Sequence, residues 1–193
     1  MQEQQVVNGV NVTQLTETIS AITETPSLAR FQFRLRNDWI DGSQNRSQVK
    51  DFYGANQEDT SRGKPFVLDA DEPLVLLGSD KSANPAEYVL HALAACLTTS
   101  MLYHAAARGI VIEEVESTLE GDIDLHGFLG LKDDVRKGYQ NIRVNFRIKT
   151  DASAEQLQEL TKYSPVFDIV SNPVPVSIQV ETVKATNSMQ QAA

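Results

Sequence analysis

The feature that most constrains the fold of this chain is an almost uncharged run, NPAEYVLHALAACLTTSMLYHAAARG, from Asn84 to Gly109. Asn84 is a favourable N-cap residue and Pro85 suits the first helical position. Gly109 is a favourable stop, and Arg108 before it places a cation at the negative end of the helix dipole. Because the run is apolar on nearly all sides, it predicts one long helix buried at the centre of the fold.

The segments around this helix predict an α+β fold, in which one face of an antiparallel sheet lies against the helices and the other faces solvent. Residues 115–125 and 141–149 alternate apolar and charged side chains, with an acidic outer face on the first and a basic one on the second. This pattern predicts an antiparallel hairpin with oppositely charged neighbours. Further strands are predicted over 30–40, 48–55 and 173–184, with one or two short strands around a turn over 65–78. Helices are predicted over 11–24 and 151–163, a turn at 41–47, and a short helical turn from Ser164.

The composition narrows the class of protein and its partners. We expect an N-terminal helical extension at 1–27, one domain at 28–185 and a polar C-terminal tail at 186–193. A net charge of −9 argues against a nucleic-acid partner, since phosphate binding needs a basic patch. The first residues lack a signal-peptide pattern, and charges at Glu87 and Arg108 interrupt the best membrane-span candidate. The histidines have no metal-site spacing. A cytoplasmic protein without a membrane partner or metal is therefore expected.

Cys96 is the only cysteine of the chain, so it forms no internal disulfide. It is either a working thiol or a small apolar residue in a packed helix, where free cysteines are often found. A thiol with the reference pKa of about 8.5 is mostly protonated at neutral pH, so catalysis needs a nearby cation. The helix itself carries no Lys or Arg before Arg108. The nearest rich supply is the predicted N-terminal hairpin, with Arg34, Arg36 and Arg46.

Three stretches together closely resemble the OsmC/Ohr family of peroxide-reducing proteins: NPAEYVLHALAACLTTS, RGIVIEEVESTLEGDIDL and YSPVFDIVSNPVPV. The resemblance spans about residues 28–183 and points to the subgroup described as OsmC-like. It implies an intertwined homodimer in which each chain contributes strongly curved antiparallel sheets packed on a long central helix, with active sites near the subunit interface. In active members a helix cysteine attacks the O–O bond of an organic hydroperoxide and becomes a sulfenic acid. A second cysteine before a Pro-Val then closes a disulfide, which external dithiols such as lipoyl groups reduce.

Carried onto this sequence, the resemblance makes Cys96 the attacking thiol. The resolving position falls on Ser164, which cannot form a disulfide and is well suited to cap the turn that begins at Pro165. The family's helix glutamate falls on Ala86. Glu87 is adjacent, but nine positions of about 100° each place it on the opposite side of the helix from Cys96.

The activating arginine that the resemblance implies has two candidates, Arg46 first and Arg36 second. Ser100 and Tyr103 lie within about 40° and 20° of Cys96 around the helix, so they are candidates to line the same cavity. Each of these side chains also has an ordinary structural explanation. The candidate set is therefore catalytic Cys96, Arg46 and Arg36, with binding residues Glu87, Ser100, Tyr103 and Ser164.

Three functions remain open at this point. The first is a one-cysteine thiol peroxidase, in which Cys96 reduces an apolar hydroperoxide and an outside thiol or dithiol resolves the sulfenic acid. The second is a non-catalytic module that binds a small apolar ligand at the dimer interface. The third is a stress-associated protein in which Cys96 is simply oxidised.

Overall fold

The computed structural model describes residues 5–184, and the predicted tail at 186–193 lies outside this range. Strands β1 (Val6–Val7) and β2 (Val10–Asn11) form a small hairpin that leads into helix α1 (Val12–Glu24). The Asn11 side chain accepts a hydrogen bond from the Gln14 amide at 3.0 Å and caps this helix. A 3₁₀ turn, Pro26–Ala29, follows, so the predicted helix ends before Pro26 as expected.

An antiparallel sheet comes next, formed by β3 (Arg36–Asp41), β4 (Gln44–Val49) and β7 (Phe66–Ala70) in the order β3-β4-β7. Strands β5 (Phe52–Gly54) and β6 (Gln57–Asp59) form a separate hairpin.

Three predicted boundaries in this region are wrong. The predicted return strand at 48–55 is divided between β4 and β5, with residues 50–51 outside both. The predicted strand at 30–40 begins only at Arg36. Before it, the Phe31 ring stacks on Phe52 with a centroid distance of 6.3 Å, and the Phe33 ring lies tilted against Phe52 at 5.7 Å. The predicted turn at 41–47 is shorter than expected. Gly42, at a φ of 52°, lets the chain reverse tightly, so residues 44–47 already lie in β4.

Helix α2 (Pro85–Ala107) has the bounds that the sequence predicts. Its apolar residues are not all covered in the single chain. Only one stripe is buried, because β8 (Ile112–Asp122), α4 (Ala154–Thr161) and α5 (Pro165–Ser171) cover the helix from one direction. The stripe consists of Leu93, Leu97, Ser100, Met101, Ala105 and Ala106. By length and composition α2 is also the one described helix that could cross a membrane, so the absence of a membrane partner stays a prediction.

Strand β8 pairs with β9 (Asn141–Thr150) in the predicted antiparallel hairpin, with helix α3 (Leu125–Phe128) in the connection. Glu116 lies opposite Arg147 and Glu120 opposite Arg143 on the outer face, as the charge pattern predicts. The inner face packs on α2 and α4 around a core of Met101, Ala105, Ile112, Leu157 and Leu160. The predicted α+β class with antiparallel sheets is confirmed.

The last described segment, residues 173–184, departs from its prediction. Its alternating pattern predicts a strand, but it pairs with no strand in the described part of the chain. Its apolar side chains point into solvent, with Val176 77%, Ile178 82% and Val180 82% exposed. The prediction of a strand is therefore wrong for one chain by itself, because nothing there supplies backbone partners for residues 173–184.

Candidate functional site

Cys96 lies midway along α2, at the edge of the buried stripe. Its neighbour Leu97 is 4% exposed, whereas Cys96 is half-buried. The thiol is therefore neither sealed in the core nor fully open. Cys96 is the free thiol of the chain and the only candidate nucleophile of its kind.

The two predicted arginines are engaged within their own sheet. Arg46 in β4 makes a bidentate ion pair with Asp69 in β7, with N–O distances of 2.6 and 2.8 Å. This hydrogen bonding raises the pKa of Arg46 and lowers that of Asp69. Arg36 pairs with Asp38 at 3.0 Å. Among the described residues neither guanidinium donates a hydrogen bond to Cys96, so a single chain does not assemble the predicted thiol–arginine pair.

Glu87 has a local role that the sequence analysis missed. Its carboxylate accepts a hydrogen bond from the Asn84 amide at 2.8 Å, while the Glu87 amide donates to the Asn84 side chain at 2.8 Å. This is a capping box, which satisfies two unpaired amides at the start of α2. The Asn84-x-x-Glu87 spacing was the available signal. The capping role agrees with the position of Glu87 on the side of the helix opposite Cys96.

Ser164 is 1% exposed, and its Oγ accepts a hydrogen bond from the Phe167 amide at 3.2 Å. It caps α5, as the sequence predicts for the residue before Pro165. Ser100 is buried in the α2 stripe at 9% exposure, whereas Tyr103 is half exposed at 50%. Ser100 and Tyr103 therefore share a side of the helix with Cys96 but lie in different surroundings.

A cluster at the end of α2 was not predicted. The His104 ring stacks on Tyr163 with a centroid distance of 4.0 Å, and Arg108 lies 5.6 Å from the same tyrosine ring. Arg108 Nη1 lies 3.2 Å from His104 Nδ1 and donates to the His104 carbonyl oxygen at 2.9 Å. Burial and the charge of Arg108 lower the pKa of His104. A neutral imidazole that accepts from Arg108 is the form that this cluster favours, which makes His104 part of the helix end.

A hollow lies under β9, and Cys96 is not among the residues that line it. It consists of two adjoining cavities of about 550 and about 430 Å³, enclosed by the inner face of β9 and by α2 and α5, with α4 closing the larger one. Val144 and Phe167 line both cavities, so the two adjoin, and we treat them as one trough. Arg136 and Tyr139 line one end, and Gln158 and Thr161 the other. We call this feature the β9 trough.

Within residues 5–184, no group of three or more His, Cys, Asp or Glu side chains is arranged to hold a metal ion.

The chain was compared with a family model, with curated proteins and with solved structures. The family model described as OsmC-like protein matches residues 78–179. A search of curated proteins gives no match. Three solved structures are similar in fold, each with a TM-score just above one half. An OsmC-like protein from Mycoplasma pneumoniae shares 17% identity at a TM-score of 0.52, covering 74% of this chain and 89% of the other.

The second is an organic hydroperoxide resistance protein OsmC from Legionella pneumophila, with 16% identity, a TM-score of 0.51, and coverage of 72% of this chain and 88% of that one. The third is an OsmC-like protein of unknown function from Vibrio cholerae, with 12% identity, a TM-score of 0.51, and coverage of 74% and 93%. At these identities the likeness extends to the fold. The family match includes α2 with Cys96, and also β8, β9, α4 and α5.

Proposed function

We propose a function from one premise: this chain belongs to the OsmC-like protein family, whose model matches residues 78–179, more than half of the chain. We propose that it is a stress-response protein that reduces organic hydroperoxides through Cys96. The observation that carries this proposal is the half-buried position of Cys96 on α2, inside the matched region. A thiol of this kind is open to a substrate while keeping apolar surroundings for the organic group.

The proposed reaction has two stages. The Cys96 thiolate attacks one peroxide oxygen, the O–O bond breaks, and the alkoxide takes a proton and leaves as an alcohol. Sulfur is thereby oxidised to a sulfenic acid. An external thiol then displaces water from the sulfenic acid to form a mixed disulfide, and a second external thiol releases Cys96. An outside dithiol supplies both thiols, because Ser164 offers no sulfur for an internal disulfide.

We further propose that the working unit is a homodimer and that the cation near Cys96 comes from the second copy. The arginine-bearing hairpin β3–β4 belongs to a sheet with wide solvent exposure, and the Arg36 side chain is 79% exposed. Arg46 pairs with Asp69 at 2.6 Å, whereas Arg36 pairs with Asp38 at 3.0 Å and its side chain is the more exposed, so Arg36 is the more available donor in this arrangement.

Peroxide consumption with a dithiol reductant tests the enzymatic proposal. The wild-type protein is expected to consume cumene hydroperoxide, and Cys96→Ala to lose that activity while remaining folded. Cys96→Ser provides a second variant with a side chain of similar size. Equal and slow consumption by wild type and both variants would remove the peroxidase proposal. Arg36→Gln and Arg46→Gln, assayed in parallel, separate the two candidate arginines.

A non-catalytic binding module is the second candidate function. It is supported by the engagement of Arg46 and Arg36 with carboxylates and by the use of Ser164 as a helix cap. In this alternative a small apolar ligand occupies a cavity at the dimer interface. Native mass spectrometry of freshly purified protein tests it, since retained ligand appears as added mass. Empty protein that shows no thermal shift with apolar compounds would count against this candidate.

A further inference from the structure

The β9 trough has no role in the proposed peroxidase chemistry. Cys96 is not among the residues that line it, although Leu93 and Leu97 on the same helix are. Its floor is the inner face of β9, where Ile142, Val144, Phe146 and Ile148 follow one another at every second position. The two halves have volumes of about 550 and about 430 Å³, each within the roughly 300–1,000 Å³ that small-molecule sites occupy.

The shape of the trough favours a long, narrow apolar molecule. Ile142 and Ile148 are six positions apart on an extended strand, so the floor is about 20 Å long. The walls beside it are aliphatic or aromatic, with Met101 and Leu157 at one half and Leu93 and Ile169 at the other. An extended acyl chain matches this length and this lining better than a compact ring compound does.

The polar groups at the two ends are not equivalent. At the α4 end the Thr150 hydroxyl donates to the Val111 carbonyl oxygen at 2.6 Å, and the Thr161 hydroxyl donates to the Gln158 carbonyl oxygen at 2.8 Å. These hydroxyl protons are therefore already used, and that end carries no charge.

At the opposite end, the Tyr139 hydroxyl donates to the Ala86 carbonyl oxygen at 2.8 Å and is also committed. Arg136 is the only charged residue among the described residues that line the trough. Its side chain appears in none of the ion pairs within residues 5–184, all of which involve other cations. A planar guanidinium with free donors is suited to a carboxylate, which it can bind through two parallel hydrogen bonds.

We infer that the β9 trough binds a long-chain monocarboxylate, with the carboxylate on Arg136 and the acyl chain along the inner face of β9. This site is separate from Cys96 and does not depend on hydroperoxide chemistry. The charge of Arg136 favours an anionic amphiphile over a neutral one, and the uncharged far end favours a single headgroup.

Titration calorimetry with delipidated full-length protein tests this inference, with palmitate as the probe and hexadecanol as its uncharged counterpart. Wild type is expected to bind one palmitate per chain, more tightly than hexadecanol. Arg136→Gln should raise the Kd for palmitate about tenfold, the effect of losing a charged hydrogen bond. The matched control is Arg147→Gln, which removes an arginine from the outer face of β9 and should leave the Kd unchanged.

Two further variants complete the test. Val144→Trp places a large ring where the two halves meet and should abolish palmitate binding, whereas Cys96→Ala should bind as wild type does. Arg136→Glu reverses the charge at an exposed position and should weaken binding more than Arg136→Gln does, even if Val144→Trp fails to fold.

Several results would overturn the inference. Equal weakening by Arg136→Gln and Arg147→Gln would show a general charge effect. Palmitate binding that survives Val144→Trp would place the ligand elsewhere. If that variant instead changes the oligomeric state in native mass spectrometry without affecting palmitate, the trough is a protein contact. Loss of palmitate binding in Cys96→Ala would place the ligand at the peroxidase site. That result would overturn this inference without contradicting the proposed function.

Discussion

At the scale of single residues, the most constrained side chain outside the helix is Asp71, which follows β7 and is 1% exposed. Its carboxylate accepts hydrogen bonds from the Ser43 hydroxyl at 2.5 Å and from the Glu72 amide at 2.8 Å. The amides of Ser79 and Lys81 donate to its other oxygen, each at 3.2 Å. Asp71 thus fixes the loop that precedes α2 to the β3–β4 turn.

These donors favour the ionised form and lower the pKa of Asp71 to about 2, with the Ser43 hydroxyl as the largest cause. A carboxyl group whose pKa is lower in the folded state stabilises the protein above its unfolded-state pKa, and loses that effect as the pH falls. We predict that Asp71→Asn lowers the melting temperature at pH 7, and that its difference from wild type shrinks between pH 3.8 and about 2.

Thermal unfolding of both proteins across this pH range provides the measurement. Ser43→Ala is the matched variant, because it removes the principal donor and leaves the carboxylate in place. A difference between wild type and Asp71→Asn that stays constant down to pH 2 would show that charge is not what Asp71 contributes.

Ser164 gives the second residue-scale prediction, which bears on the proposed function. Because the family resemblance places a resolving cysteine at this position, Ser164→Cys should restore an internal disulfide partner for Cys96. On treatment with one equivalent of cumene hydroperoxide, the variant is expected to lose two hydrogens in intact-mass analysis and to resist alkylation. The double variant Cys96→Ala/Ser164→Cys serves as the control and should stay reduced. A Cys96 sulfenic acid that persists beside a free Cys at 164 would contradict this assignment.

At the scale of elements, the start of α2 is held by the reciprocal bonds of Asn84 and Glu87. We predict that Asn84→Ala lowers the free energy of unfolding by about 1 kcal/mol, the usual effect of losing an N-cap. Glu87→Gln should retain most of the stability, because glutamine also completes a capping box. Urea unfolding measures both changes. If Glu87→Gln kept its stability but lost peroxide consumption, Glu87 would belong to the reaction rather than to the cap.

The elements that the sequence predicted well are those whose ends and faces are encoded locally. Asn84, Pro85 and Gly109 mark α2 because caps act on adjacent backbone groups. The β8–β9 hairpin was predicted because each strand carries apolar residues on one face and charged residues on the other. A shift of the strand pairing by one residue would bury the charged side chains.

The features that were missed depend on contacts between distant segments. Nothing near Arg46 in the sequence indicates that its guanidinium forms an ion pair with Asp69 on another strand. The β9 trough also requires β9, α2 and α5 to meet, so periodicity alone did not reveal it. Residues 173–184 have a strand pattern without a strand partner in the same chain. A sequence pattern can encode the need for a neighbour without identifying that neighbour.

At the scale of the whole molecule, the exposed surface is larger than that of a compact monomer of the same mass. The chain exposes 15198 Å². A compact monomer of 21.3 kDa exposes about 9,100 Å², so the excess is about 6,000 Å². Much of it is apolar, including Trp39 at 74% and Leu77 at 94% exposure. Apolar exposure on this scale is typical of subunits taken from obligate assemblies, whose interfaces exceed roughly 2,000 Å².

The final prediction concerns the segment that contributes most clearly to this excess. If a second copy covers residues 173–184, then Ile178→Asp should break the homodimer, because an unpaired carboxylate in an apolar interface is costly. Gln179→Asp is the matched control: it adds the same charge at the next position, on the other side of an extended segment. Native mass spectrometry is expected to give a dimer for wild type and Gln179→Asp, and a monomer for Ile178→Asp. Monomeric wild-type protein would refute the homodimer. Because the proposed cation near Cys96 comes from the second copy, the monomeric variant should also lose peroxide consumption, which joins the assembly to the chemistry.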